Sequence, residues 1–265
     1  MIELSSLYHK IEGKGEPILF LPGLCLNHHL FDDTAKCLKD KYRLIFVDLF
    51  GTGASPKPKD KYSITKDALE VFEIVKEFPQ IHIIAHSRGV KVALCLYRHF
   101  NNFGKCVFIG QAGFGKKDDA FTKNVIEVKR LKLTSKAEIA KKLEEGLNFG
   151  KIYGGAETLT KLKKAKEGCD ISDSLLRRVE DSPDFKEIAK YFEKDVVFIA
   201  GEKDPFLEDI KDAVKYYKNS KLFEIPKSGH FPMIENATEF ILIIRTIFEE
   251  NFNGNKDFFS GKSTS

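Results

Sequence analysis

Short apolar runs recur along the chain at residues 18–21, 44–47, 81–85, 106–109 and 196–200. Between them apolar positions fall three and four apart, which predicts helices over about 30–38, 65–78, 90–100 and 239–248. Strand-like runs alternating with helical patterns predict an α/β fold with a mostly parallel, doubly wound sheet. An earlier stretch, residues 4–11, precedes a turn at 13–17 and is expected to add a strand by a hairpin. The rhythm stops near Gln111 and resumes at Asp195. What lies between is lysine-rich, helical in pattern and broken by Gly146, Gly150, Gly154, Gly155 and Gly168. The expected organisation is a core of residues 1–111 and 191–252, a helical lid of 112–190 inserted before the last strands, and a flexible tail of 253–265.

One strand-to-helix junction carries more than packing. In IHIIAHSRGVKVALCLY, four apolar residues run into Ala85-His86-Ser87-Arg88-Gly89 and then a helix. A serine on so sharp a turn needs small residues two positions to either side, and Ala85 and Gly89 supply them. The turn lifts the serine oxygen off the sheet edge and sets a helix N-terminus behind it, where backbone N–H groups can face an oxyanion. Alone, such a pentapeptide also arises by accident. Asp204 follows the strand in VVFIAGEKDPF, and His230 follows another in KLFEIPKSGHFPMIEN. Taken singly, the first reads as a turn residue before Pro205 and the second as a satisfied loop histidine. In the order Ser87, Asp204, His230, each past a strand end, they have the chain order of a nucleophile–acid–histidine triad.

With these residues the chain resembles the lid-bearing α/β-hydrolase superfamily over nearly its whole length. ILFLPGL is similar to that family's oxyanion strand and loop, FVDLFGTGASPKP to its D-x-x-G-x-G-x-S segment through Asp48, Gly51, Gly53 and Ser55, and GHFPMIE to its histidine loop. The loop begins Pro22-Gly23 where the family usually has His-Gly, and the elbow begins with alanine in place of glycine; neither change removes a catalytic group. The resemblance implies an oxyanion hole from the amides of Leu24 and Arg88. It also implies acyl transfer to Ser87, proton transfer by His230 and orientation by Asp204, in a carboxylic ester hydrolase resembling the methyl-ester esterases. Carbon–carbon bond hydrolysis and thioester cleavage remain open, as does a non-catalytic receptor or scaffold. Dehalogenases and epoxide hydrolases are set aside because position 87 is not aspartate, and for the former because the chain has no Trp. Cofactor-independent dioxygenases and haloperoxidases share the serine triad and stay in play.

Composition refines this picture. Of 23 Phe, Phe31, Phe50, Phe114, Phe206 and Phe231 fall in loops expected around Ser87, which suggests an apolar pocket for small or medium acyl groups. The net charge of +4 is too even for a nucleic-acid partner. All of that excess lies in residues 112–190, with 18 Lys+Arg against 14 Asp+Glu, and its densest run is Lys161, Lys163, Lys164 and Lys166. A solvated helix face explains such a run; the alternative is a surface for an acidic acyl carrier protein. Five cysteines without CxxC spacing are expected to be reduced, Cys95 and Cys106 as core residues and Cys25 near the pocket. No membrane span or signal peptide is evident, so a cytoplasmic protein is expected. No metal or cofactor is expected. Gly261-Lys-Ser-Thr264 lacks the earlier glycine of a phosphate loop, and Gly51-Thr-Gly53 meets a proline at position 56. The adjacent His28 and His29 are read as pocket lining or surface.

Overall fold

The computed structural model describes residues 5–59, 62–111, 130, 135, 138, 152–169 and 184–248. Phe114, the 253–265 tail and most of the expected lid lie outside them. Seven strands form one sheet among the described residues: β1 (His9–Gly13), β2 (Glu16–Leu21), β3 (Tyr42–Val47), β4 (Ile81–His86), β5 (Phe103–Ile109), β6 (Val196–Gly201) and β7 (Ser220–Ile225). Their spatial order is β1-β3-β2-β4-β5-β6-β7, and every pairing but the first is parallel. Among the described residues the α-helices are α1 (Asp32–Leu38), α2 (Ile64–Val75), α3 (Arg88–Tyr97), α4 (Ala156–Ala165), α5 (Phe185–Lys190), α6 (Leu207–Val214), α7 (Pro232–Glu235) and α8 (Ala237–Phe248), with a 3-10 turn at His28–Phe31.

Central strands covered on both faces can be apolar at every position, and β4 and β6 are buried throughout. Alternate side chains feed two layers. Leu19, Leu21 and Ile83 pack with Ala68 and Val71 of α2 and Val92 and Leu96 of α3. Ile18, Phe20 and Ile84 face the opposite layer with Leu38 of α1 and Phe240 and Ile244 of α8. This is the doubly wound sheet that the alternating runs predict.

The N-terminal hairpin does not form. β1 starts at His9 and pairs antiparallel with β3, from His9↔Val47 to Gly13↔Arg43. β2 already has β3 on one side and β4 on the other, so the outer edge of β3 is what remains for β1. The crossing depends on Gly13, at φ 78°, where a Cβ would collide with the backbone of Lys39 and Tyr42.

The cysteines also depart from expectation. Cys25 and Cys169 form a disulfide, with Cα atoms 5.3 Å apart across a sequence separation of 144. Spacing rules look for near neighbours, whereas here α4 brings the second cysteine back to the loop after β2. Asn27 seals the same contact: its N–H donates to Ala165 O at 2.7 Å, and its amide donates to the Lys164 and Glu167 carbonyls at 3.0 and 3.1 Å. Carbonyls at the end of a helix lack a following turn to bond them; Ala165 O takes Asn27 N–H in its place, while Lys164 O also accepts from Glu167 N at 3.2 Å. Cys95 and Cys106 are buried thiols, and Cys37 is a thiol donating to Thr34 O.

Two of the four densely spaced lysines do more than face water. Lys161 pairs with Asp33 and Glu157, both at 2.7 Å, and Lys164 pairs with Asp32 at 2.8 Å, so they fasten α4 to the acidic first turn of α1.

Candidate active site

β4 delivers its last residue, buried, directly into a turn where Ser87 adopts φ 50°, ψ −117°. A non-glycine residue in that region is costly, and it persists because its surroundings hold it on both sides. The Ser87 N–H donates to Ile109 O of β5 at 2.8 Å, and its carbonyl accepts from Val90 N at 3.0 Å. Gly89 is required by close approach, since a Cβ there would strike the backbone of Leu21 and Pro22. Ser87 itself stays partly exposed while the residues around it are buried.

The loop after β2 closes on this elbow. A Cβ on Gly23 would lie 3.1 Å from Ser87 Cβ and 2.7 Å from His86 Nδ1, which explains the glycine after Pro22. The chain then turns through Cys25 at φ 56°, and Leu26 N reaches back to Gly23 O at 3.3 Å. Arg88 sends its side chain the other way, into a buried ion pair with Asp67 of α2 beneath the Tyr62 ring. Asp67 also accepts from Phe50 N at 3.0 Å.

The D-x-x-G-x-G-x-S segment forms a hydrogen-bonded knot behind this loop. Asp48 accepts from His28 N and Nδ1, both at 2.8 Å, and from Ala54 N at 2.9 Å. Burial works against its charge, but the bonds from His28 and Ala54 prevail and hold the carboxyl below the usual range. Ser55 donates to Asp48 O and accepts from Tyr8 N, bringing the chain entering β1 into the same knot.

On the other side, Asp204 and His230 leave the ends of β6 and β7. His230 Nδ1 lies 3.2 and 3.1 Å from the two Asp204 oxygens, and both side chains are buried. The turn that makes Asp204 look structural also aims it, because Phe206 N donates to its Oδ1 at 2.9 Å. Space for the pair comes from Gly110, at φ 63°. A Cβ there would lie 3.0 Å from the imidazole and 3.2 Å from Asp204 Oδ2. Phe206 and Phe231 flank the imidazole, with ring centroids 5.2 and 5.3 Å away. Phe31 packs on Phe20 and Phe50 on Tyr62 within the core layers, and Phe231 is a buried member of the layer that holds Phe31, so Phe206 is the partly exposed ring of the four.

Three contributors went unread in the sequence: Gly110, His86 and Glu235. His86 lies inside the elbow pentapeptide and is fully buried, and burial pushes its pKa well below the ordinary histidine value. A neutral ring facing a carbonyl must donate, so His86 Nε2–H donates to His230 O at 2.9 Å. Glu235 Oε2 accepts from Gly229 N at 2.7 Å and Phe231 N at 3.1 Å, the residues on either side of His230. The signal for it was its place at the end of GHFPMIE.

Elsewhere, a cavity of about 340 Å³ opens beside β1 and α1, lined by Lys10, Lys39, Lys164, His28 and His29 among others. His29 Nδ1 lies 3.1 Å from Asp32 there. Among the described residues no three metal-ligating side chains gather, and no helix is long and apolar enough to cross a membrane.

A family model described as alpha/beta hydrolase fold matches residues 16–237. The chain is 32% identical over 109 residues to a probable lysophospholipase, BODYGUARD 4 of Arabidopsis thaliana, over 39% of this chain and 26% of that protein. It is 39% identical over 71 residues to BODYGUARD 1 of the same plant, over 25% and 15% of the two chains. These matches span about a quarter or less of the length of the curated relatives. Among solved structures, MenH from S. aureus superposes with a TM-score of 0.77 at 18% identity, covering 93% of this chain and 99% of that one. A thermophilic esterase from Thermogutta terrifontis gives 0.71 at 18%, covering 90% and 91%.

Proposed function

Because the chain belongs to the alpha/beta hydrolase fold family, we propose that it is a serine hydrolase cleaving a carboxylic ester of a small or medium acyl group. The observation that carries this reading is a partly exposed serine at φ 50° on the elbow, combined with a buried Asp204–His230 pair in the family's chain order. In the proposed reaction, Asp204 accepts from Nδ1–H of His230, which leaves Nε2 as the base. Nε2 takes the Ser87 proton as the serine oxygen attacks the ester carbonyl, and the amides of Leu24 and Arg88 receive the oxyanion. His230 then protonates the departing alcohol. Water, activated by the same imidazole, releases the acid and restores Ser87. Residues 112–190 would cover the site as a lid, with Phe206 and Phe231 on its apolar wall.

A second reading, a lysophospholipid as the ester, is favoured by the sequence likeness to a probable lysophospholipase. In the carrier-protein reading Lys161 and Lys164 would have to give up or share their ion pairs with α1, although Lys163, Lys164 and Lys166 are all exposed.

A fluorophosphonate probe is expected to label the wild type and not Ser87→Ala. That substitution is expected to lower ester hydrolysis by at least about 10⁴-fold. Absence of labelling in both proteins would remove the serine-hydrolase reading. Comparing short acyl esters with a lysophospholipid then decides the substrate class.

A further inference from the structure

We propose that Glu235 is a positioning residue that links the inserted segment between β5 and β6 to the placement of His230. The inference rests on the serine-hydrolase reading above and adds a residue and a coupling to it.

One carboxylate serves three backbone donors from two distant parts of the chain. Oε2 accepts from Gly229 N and Phe231 N, at 2.7 and 3.1 Å, so it brackets His230. Oε1 accepts from Tyr153 N at 3.0 Å, near the start of the continuous stretch 152–169 of the insertion. The geometry suits α7, a four-residue helix opening with Pro232. As in a capping box, the carboxylate reaches back past the first turn to the N–H of the N-cap residue, Phe231, and on to Gly229. His86 holds the same peptide from the opposite side through His230 O, at 2.9 Å. The His230 backbone is therefore gripped through both flanking N–H groups and its own carbonyl, and only the first grip is shared with the insertion.

The insertion meets this corner at more than one point. Thr158 of α4 donates to Ile234 O at 3.4 Å, and the Tyr153 ring lies against Gly229, 3.4 Å from where a Cβ would stand. At its far end α4 is bound to the loop after Leu24 through Asn27 and the Cys25–Cys169 disulfide. The inserted helix thus spans from the histidine loop to the oxyanion loop, and Glu235 is the side chain that converts its position into a force on the catalytic histidine.

Glutamate is specifically suited because all three partners donate. A glutamine has one oxygen to offer and must turn its NH₂ toward a donor. Glu235→Gln is therefore expected to keep the Gly229 and Phe231 bonds and to release Tyr153. Glu235→Ala loses both functions.

The test measures fluorophosphonate labelling of Ser87, steady-state ester kinetics and amide hydrogen exchange at Tyr153. Glu235→Ala is expected to slow labelling and kcat by about 100-fold, the scale of an ångström misplacement at a reacting group, with a shifted low-field proton resonance of the His230 Nδ1–H. Glu235→Gln is expected to lose labelling to an intermediate extent, about tenfold, with a smaller shift of the same resonance, while its Tyr153 amide exchanges at least about tenfold faster. Wild-type labelling and resonance in a folded Glu235→Ala, or unchanged Tyr153 exchange in Glu235→Gln, would overturn the proposal. If Glu235→Ala does not fold, Glu235→Gln decides: faster Tyr153 exchange with the wild-type His230 resonance and labelling rate would overturn the coupling. An unlabelled wild type would sink the serine-hydrolase reading first, so the two failures remain distinct.

Discussion

The serine and histidine halves of the site are held in place by different means. On the serine side the restraints are backbone ones: a left-handed Ser87, a Gly89 pressed under Leu21 and a Gly23 pressed on Ser87. On the histidine side they are side-chain hydrogen bonds, Asp204 to the ring and Glu235 and His86 to the peptide. The backbone restraints join loops far apart in the chain, but they need small residues at fixed offsets within each loop. Side-chain restraints come from anywhere in the chain and leave little trace in spacing. The nucleophile is thus placed mainly by steric fit and the base mainly by hydrogen bonds.

The comparison can be broken most forcibly on the serine side. Asp67→Ala would strand the Arg88 charge in a site where its side chain is only 3% exposed. Removing one partner of a buried pair typically costs about 3–5 kcal/mol, which urea denaturation would read as a lower midpoint. If the midpoint held, the pair would not be anchoring the elbow. On the histidine side, Gly110→Ala places a methyl 3.0 Å from the imidazole at φ 63°. The expected result is a fall in kcat of about 100-fold with a smaller change in KM, measured by steady-state kinetics. An unchanged kcat would mean that His230 tolerates displacement.

The smallest effect is a pH dependence. His86 binds protons less readily when folded than its ordinary value of 6.5, so below that pH the unfolded chain takes up more protons. Its contribution to stability is therefore complete above about pH 6.5 and is lost as the pH falls further. His86→Gln should flatten the acid limb of a midpoint series taken between about pH 5 and pH 8. An acid limb of the same slope would remove His86 from the account.

This division also explains what could be read from the chain. Ser87 was legible because Ala85, Gly89 and the flanking apolar run lie within a few residues of it. Asp204 and His230 were legible as residues just past strand ends, since in an open parallel sheet that edge is where ligands bind. The Cys25–Cys169 bond was not, because it depends on how a long insertion folds back. Nor was the pairing of β1, which follows from β2 having no free edge. Phe31 and Phe50 sit in loops where pocket residues are expected, yet the two core layers take up both rings, and nothing in a list of phenylalanines separates those fates. Gly110 was visible as a letter, but its work is defined by His230, far along the chain; Glu235 bonds Gly229 and Phe231 close by, and only its bond to Tyr153 reaches across the chain.

The parallel run of β2 to β7 gives the molecule two unlike ends. The triad and the loops that hold it crowd the edge where the strands finish, while the opposite edge carries short, exposed connections such as Gln80, Asn101–Asn102 and Lys218–Asn219. For anyone attaching this protein to a support, fusing it to a partner or splitting it for reassembly, that second edge is the handle: surface chain far from the chemistry, in positions where insertions are best tolerated.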